Sequence, residues 1–147
     1  MNDLLSQLQS AVVSRLAGDG QFGGPPRLPV LAEQIGDLEN EIERVMNEIG
    51  ISIVVLSPKA AKGQEFRRMV ADVAVRVFER VVLNRDMAVG SGWSAAGVAI
   101  AATGLLDRWS PQEFWTPFQT QQLQVVNRSP LLVYEVVFKT STLIGLG

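Results

Sequence analysis

The sequence predicts an α+β domain, an antiparallel or mixed sheet of about four to five strands with helices packed mainly on one face. Two alternating stretches and three helical stripes predict it. Residues 66 to 83, FRRMVADVAVRVFERVVL, send Met69, Ala71, Val73, Val75 and Val77 one way and Arg68, Asp72, Arg76 and Arg80 the other. Successive side chains of a strand point to opposite faces, so this pattern gives one buried and one wet face. A helix is the rival, since Val70, Val73, Val77 and Val81 also share a helical face. Six valines favour pleated geometry, and Val75 would fall on the polar side of that helix, so the strand is expected. Residues 131 to 140, LLVYEVVFKT, repeat the alternation.

Taken in order, residues 3 to 17 place Leu5, Leu8, Val12 and Leu16 on one stripe, with Asn2 or Asp3 as cap and Gly18 and Gly20 as stop. Residues 18 to 27, GDGQFGGPPR, hold four glycines and two prolines and predict an exposed loop with one apolar residue, Phe22. Neither a P-loop pattern nor GxGxxG occurs there, and Pro25 and Pro26 lack the N–H groups a phosphate cradle uses. The loop suits contact with a neighbouring subunit better. Residues 28 to 33 predict a short strand, with Pro29 marking an edge or a start.

Residues 37 to 49 carry Leu38, Ile42, Val45 and Ile49 at helical spacing and end at Gly50. From Glu33 to Glu48 there are six acids against one base, Arg44. These acids read as a solvated face, because no calcium-type loop spacing accompanies them. Residues 51 to 57, ISIVVLS, predict a buried strand ended by Pro58, and residues 59 to 64 a hairpin-like connection. Residues 59 to 85 then hold seven bases against three acids, Glu65, Asp72 and Glu79, with the bases mainly on the wet face.

Ser94 can cap a helix running to about Trp109, with Val98, Ala102, Leu105 and Trp109 inward, joined by Ala95 and Leu106. Its alanines, with Gly97 and Gly104, are expected to allow close approach to a sheet, and Pro111 marks the end. Phe114, Trp115 and Phe118 follow; such aromatics plug the edge of a core, or mark an interface when exposed. Strands at 120 to 127 and 130 to 140, with Arg128 and Ser129 in the turn, close a single domain spanning 1 to 147.

Composition narrows the function. The chain has 147 residues, neither cysteine nor histidine, and a formal charge of −2. It is long enough to bury a continuous core. Disulfides, thiolate nucleophiles, imidazole bases and nearly all zinc or haem ligation are removed together. No cofactor and no metal site are expected. The acidic balance argues against a nucleic-acid binder. No apolar run approaches the roughly 20 residues of a membrane span, and the first residues carry an acid where an export signal needs bases.

The element order, with PVLAE, the acidic helix, GISIVVLSP, the valine strand and SGWSAAGVAIAATGLLDRW before a closing hairpin, resembles the tail-terminator and tail-completion proteins of tailed bacteriophages. The resemblance runs from about Pro29 to Phe138. It implies a structural virion protein of the tail or neck, assembled in the host cytoplasm. Such a protein forms a homo-oligomeric, usually hexameric, ring that caps the tail tube and meets the head connector. Its partners are then copies of itself, the tube protein and the connector. DNA passes through the lumen without sequence-specific binding, and no membrane is involved. No catalytic residue is implied. The alternatives are a head-completion adaptor across the same joint, a small enzyme using carboxylates such as Glu39 and Glu43, and a host binding protein. Candidate interface residues are Phe22, Glu39, Glu43, Arg68, Arg76, Arg80, Trp115 and Phe118, with the acidic helix of one subunit meeting the basic strand of the next.

Overall fold

The computed structural model describes residues 4–18, 28–33, 38–48, 50–62, 68–80, 94–111, 115–128 and 130–143. Its elements are α1 (Leu4–Ala17), β1 (Val30–Ala32), α2 (Leu38–Glu48), β2 (Ile51–Val55), β3 (Lys59–Lys62), β4 (Arg68–Glu79), α3 (Ala95–Leu106), β5 (Gln119–Asn127) and β6 (Leu132–Leu143).

The valine stretch is strand β4, and the helical rival fails. β4 pairs antiparallel with β6 along its whole length, from Arg68 opposite Leu143 to Glu79 opposite Leu132. Ala71, Val73, Val75 and Val77 are buried, while Asp72 is exposed and Arg76 half-exposed. Branched side chains pack well on such a pleated surface. The six-stranded sheet has the order β1-β2-β4-β6-β5, with β3 paired to β4 off that path. β1 runs parallel to β2 and the other pairs are antiparallel, so the sheet is mixed.

One strand exceeds the sequence expectation. Residues 59 to 64 were expected to be a connection, yet Lys59–Lys62 form β3. The cause lies in β4, which at twelve residues is much longer than β2. β2 covers Val75 to Glu79, and β3 covers Met69 to Asp72 along the same edge. Between them Leu56 donates its N–H to the Ala74 carbonyl at 2.9 Å, and Pro58, lacking an N–H, breaks the run.

α1 and α3 lie on one face. Leu8, Val12 and Leu16 of α1 join Val98, Ala99, Ala102 and Leu106 of α3, Ala71, Val73, Val75 and Val77 of β4, and Val136 and Phe138 in one core. α1 also buries Gln9, whose Nε2 donates to the Val55 carbonyl at 2.9 Å, so its amide ties the helix to β2. Among the described helices α2 alone packs on the other face, so the helices lie mainly on one side, as expected. Its Val45 and Met46 are buried but outside that core, and it packs on β2, whose five residues are all buried. Since Ile51, Ile53 and Val55 face α1 and α3, alternation sends Val54 to the opposite side, under α2. At the end of α2, Gly50 takes φ 88°, the left-handed conformation glycine adopts without a Cβ penalty.

Both ends of α3 are tied by side chains. Ser94 Oγ accepts from Gly97 N at 3.0 Å, as its sequence position predicts. Glu79 supplies a second cap, its Oε1 accepting from Ala95 N at 2.8 Å. It is fully buried, on the core side of β4 rather than among the wet-face charges. A carboxylate at a helix N-terminus meets both open N–H groups and the positive end of the helix dipole. Glu79→Ala removes this hydrogen bond, leaves the Ala95 N–H without its acceptor and opens a cavity, and is expected to cost about 3 kcal/mol by urea denaturation. A loss below 1 kcal/mol would show the cap to be incidental.

At its other end α3 stops at Leu106, short of the expected Trp109. Asp107 is extended and Arg108 takes φ 64°, so the helix cannot continue. Asp107 Oδ1 accepts from both the hydroxyl (2.7 Å) and the N–H (3.1 Å) of Thr120. Those two bonds, with Arg108 nearby, hold its carboxyl below the usual aspartate range. A depressed carboxyl stabilises above its unfolded pKa and loses that contribution as pH falls through its lower folded value. Thr120→Val is therefore expected to lower the melting temperature at neutral pH and to flatten its decline below about pH 4, where free aspartate titrates. An unchanged acid limb in the variant would exclude this contact as its source. Gly104 corrects one further expectation, for it is exposed and a Cβ there meets nothing within 4 Å, so it serves no close approach.

Candidate functional site

Opposite α1 and α3, the sheet beyond α2 carries a row of charged side chains set by strand alternation. Arg68, Asp72 and Arg76 fall on this side of β4, and Glu135, Lys139 and Ser141 on the same side of β6. The register places Arg76 beside Glu135 and Asp72 beside Lys139. Arg76 Nε meets Glu135 Oε2 at 2.7 Å, and Lys139 Nζ lies 4.0 Å from Asp72 Oδ1. Arg68 Nη1 donates to Ser141 Oγ at 2.8 Å. These partly exposed pairs contribute about 0.2–1 kcal/mol each and mainly fix the side chains in place.

Between them is a groove of about 410 Å³. Ala74 and Val137, opposite each other in the register, line it together with Asp72, Arg76, Glu135, Lys59 and Glu33. Glu33 is held to the rim by the Ser57 N–H at 2.8 Å. Small apolar residues among five charged ones suit a polar or charged segment of another macromolecule. No group of three metal-ligating side chains occurs among the described residues. No described helix is long and apolar enough to cross a membrane.

The candidate residues separate into three groups. Arg68, Arg76 and Arg80 stand on the expected wet side, but their charges meet partners within the chain. Arg80 Nη2 lies 4.0 Å from Glu43 Oε1, so the acidic helix and the basic strand come together in one subunit. Glu39 is exposed on α2, and Glu41 pairs with Arg44 at 2.9 Å. The meeting of these segments expected across two subunits thus has a counterpart inside one chain, where reversing Arg76 would set two carboxylates opposite each other. Trp115 and Phe118 are also corrected as interface residues, being 2% and 0% exposed. Phe118 packs edge-on to Trp109 at 5.4 Å and against Phe138 at 5.7 Å. Trp109 in turn lies under Arg15, at 5.6 Å from its ring centre. Phe22 and Phe114 lie outside the described residues. Glu135 and Lys139 were missed, although their four-residue spacing on β6 mirrors that of Arg76 and Asp72 on β4.

No family model matches the chain, and no curated protein does either. Several solved structures share its fold. A chain of "Virion of native gene transfer agent (GTA) particle" superposes with a TM-score of 0.65 at 14% identity, over 97% of this chain and 99% of that one. A second superposes with a TM-score of 0.58 at 13% identity, over 96% of each chain.

Proposed function

We propose that the chain is a structural virion protein of a tailed-phage type of particle, acting at the tail or neck as a tail terminator. The observation that carries this reading is the end-to-end likeness in fold to a chain of a virion, at 97% and 99% coverage. The element order from Pro29 to Phe138, with its resemblance to tail-completion proteins, supports it independently. In this role identical subunits join head to tail through two different patches and close a ring by rotation. The ring caps the tube and presents its other side to the head connector, with DNA passing through the lumen. The groove on the open sheet face, rimmed by Glu33, Lys59 and Arg76, is a patch through which a neighbour or the tube would be held. Its fixed charges serve orientation and association rate more than affinity.

Removing the protein from particle assembly is the decisive experiment. Tubes of uncontrolled length, restored to uniform length by added protein, are the expected result by electron microscopy. Protein mixed with tubes should show discrete rings at the tube ends. Tubes of normal length with heads unattached would move the protein to the head side of the joint. Normal particles without it would overturn the reading.

A further inference from the structure

The two edges of the sheet are built differently. On one side β1 has three residues preceded by Pro29, and β3 has four with Lys59 and Lys62 at its ends. Short length, proline and lysine all discourage another chain from pairing at an edge. On the other side β5 is, among the described residues, terminal in the sheet, and it is nine residues long. Its sequence QTQQLQVVN has no proline and no charge, in a chain with 19% charged residues. Leu123 and Val126 are 40% and 39% exposed on it. Register irregularities flank the run from Gln122 to Val125, leaving that centre regularly paired to β6. Such an edge is a template for a further strand.

The strand best suited to it is β5 itself. A two-fold axis perpendicular to the sheet at Leu123 lays two copies antiparallel and keeps each face on its own side. Leu123 then meets Leu123, and Gln122 meets Gln124. The glutamines already share one face, for Gln122 Nε2 donates to Gln124 Oε1 at 2.7 Å, so their amides can extend the ladder across the junction. Like charges directly opposed would forbid self-pairing, and β5 has none. We propose that β5 pairs antiparallel with β5 of a second copy, Leu123 against Leu123, making one continuous sheet. This inference does not rest on the virion reading. A two-fold contact makes dimers and a head-to-tail contact makes rings, and the two differ in mass.

The absence of cysteine makes the test clean. Directly opposed antiparallel residues have Cα atoms about 4.5–5.5 Å apart, within the range a disulfide spans. Under mild oxidation, L123C should become a covalent dimer. A mixture of Q122C and Q124C should cross-link to each other in preference to themselves, and Q119C should stay monomeric. Sedimentation of the unaltered protein at high-micromolar concentration should show a dimer, and L123K should lose it with its melting curve unchanged. Should L123K fold poorly, the cross-linking pattern still decides. A protein monomeric throughout, or one that self-associates while L123C and the mixed pair fail to cross-link, overturns the proposal.

Discussion

Val73→Asp is expected to yield no soluble folded protein. Val73 is fully buried at the middle of β4, opposite Phe138 and within the core shared with α1 and α3. An isolated carboxylate there costs several kcal/mol, through an unpaired charge or through its neutralised form, plus the packing of the lost methyls. Set against a net stability of about 5–15 kcal/mol for a domain, that is enough to unfold it. Two variants separate burial from strand propensity. Val73→Ala keeps the site apolar and should cost about 1–3 kcal/mol while remaining soluble. Ala74→Asp moves the same carboxylate one residue along, to the face carrying Arg76 and Asp72, and should cost only about 1–2 kcal/mol. Equal damage at positions 73 and 74 would refute the assignment of faces.

What the sequence made legible was periodicity. Alternation in β4 and β6 and the stripes of α1, α2 and α3 are properties of neighbouring residues, and each appears in the structure near its expected bounds. Pairing was harder to read, because it joins residues far apart in the chain. β3 exists only because β4 extends past β2 and offers a free length of edge. The partners of Arg76 and Asp72 come from β6, dozens of residues away, and only the register selects Glu135 and Lys139. Local charge counting set the acidic helix opposite the basic strand across subunits, and could not show that Glu43 and Arg80 also meet within one. Glu79 enters the sequence reading only as one acid in a charge count. Its odd position shares the parity of Val73, Val75 and Val77, so alternation alone places it inward. The open N–H groups of α3 are what make that burial tolerable.

Phe118→Ala is expected to destabilise the chain by about 3–5 kcal/mol, the usual range for truncating a buried phenylalanine. The ring is fully buried between Trp109 and Phe138, where edge-on and tilted aromatic contacts add about 0.5–1.5 kcal/mol beyond the area they cover. Its backbone bonds to Arg108 and Trp109 join the end of α3 to the start of β5 and survive the substitution, so the loss measures packing. Phe118→Leu retains much of the volume and should cost about half as much. Tryptophan emission gives a local readout, since Trp109 loses its ring neighbour and should shift to the red in the folded variant. The same substitution distinguishes a core plug from an exposed anchor. A core residue lowers the melting temperature of the isolated subunit and leaves its contacts with other proteins unchanged once folded. An anchor would leave the melting temperature alone and weaken assembly. Full burial between two rings predicts the first outcome, and a subunit of unaltered stability would contradict it.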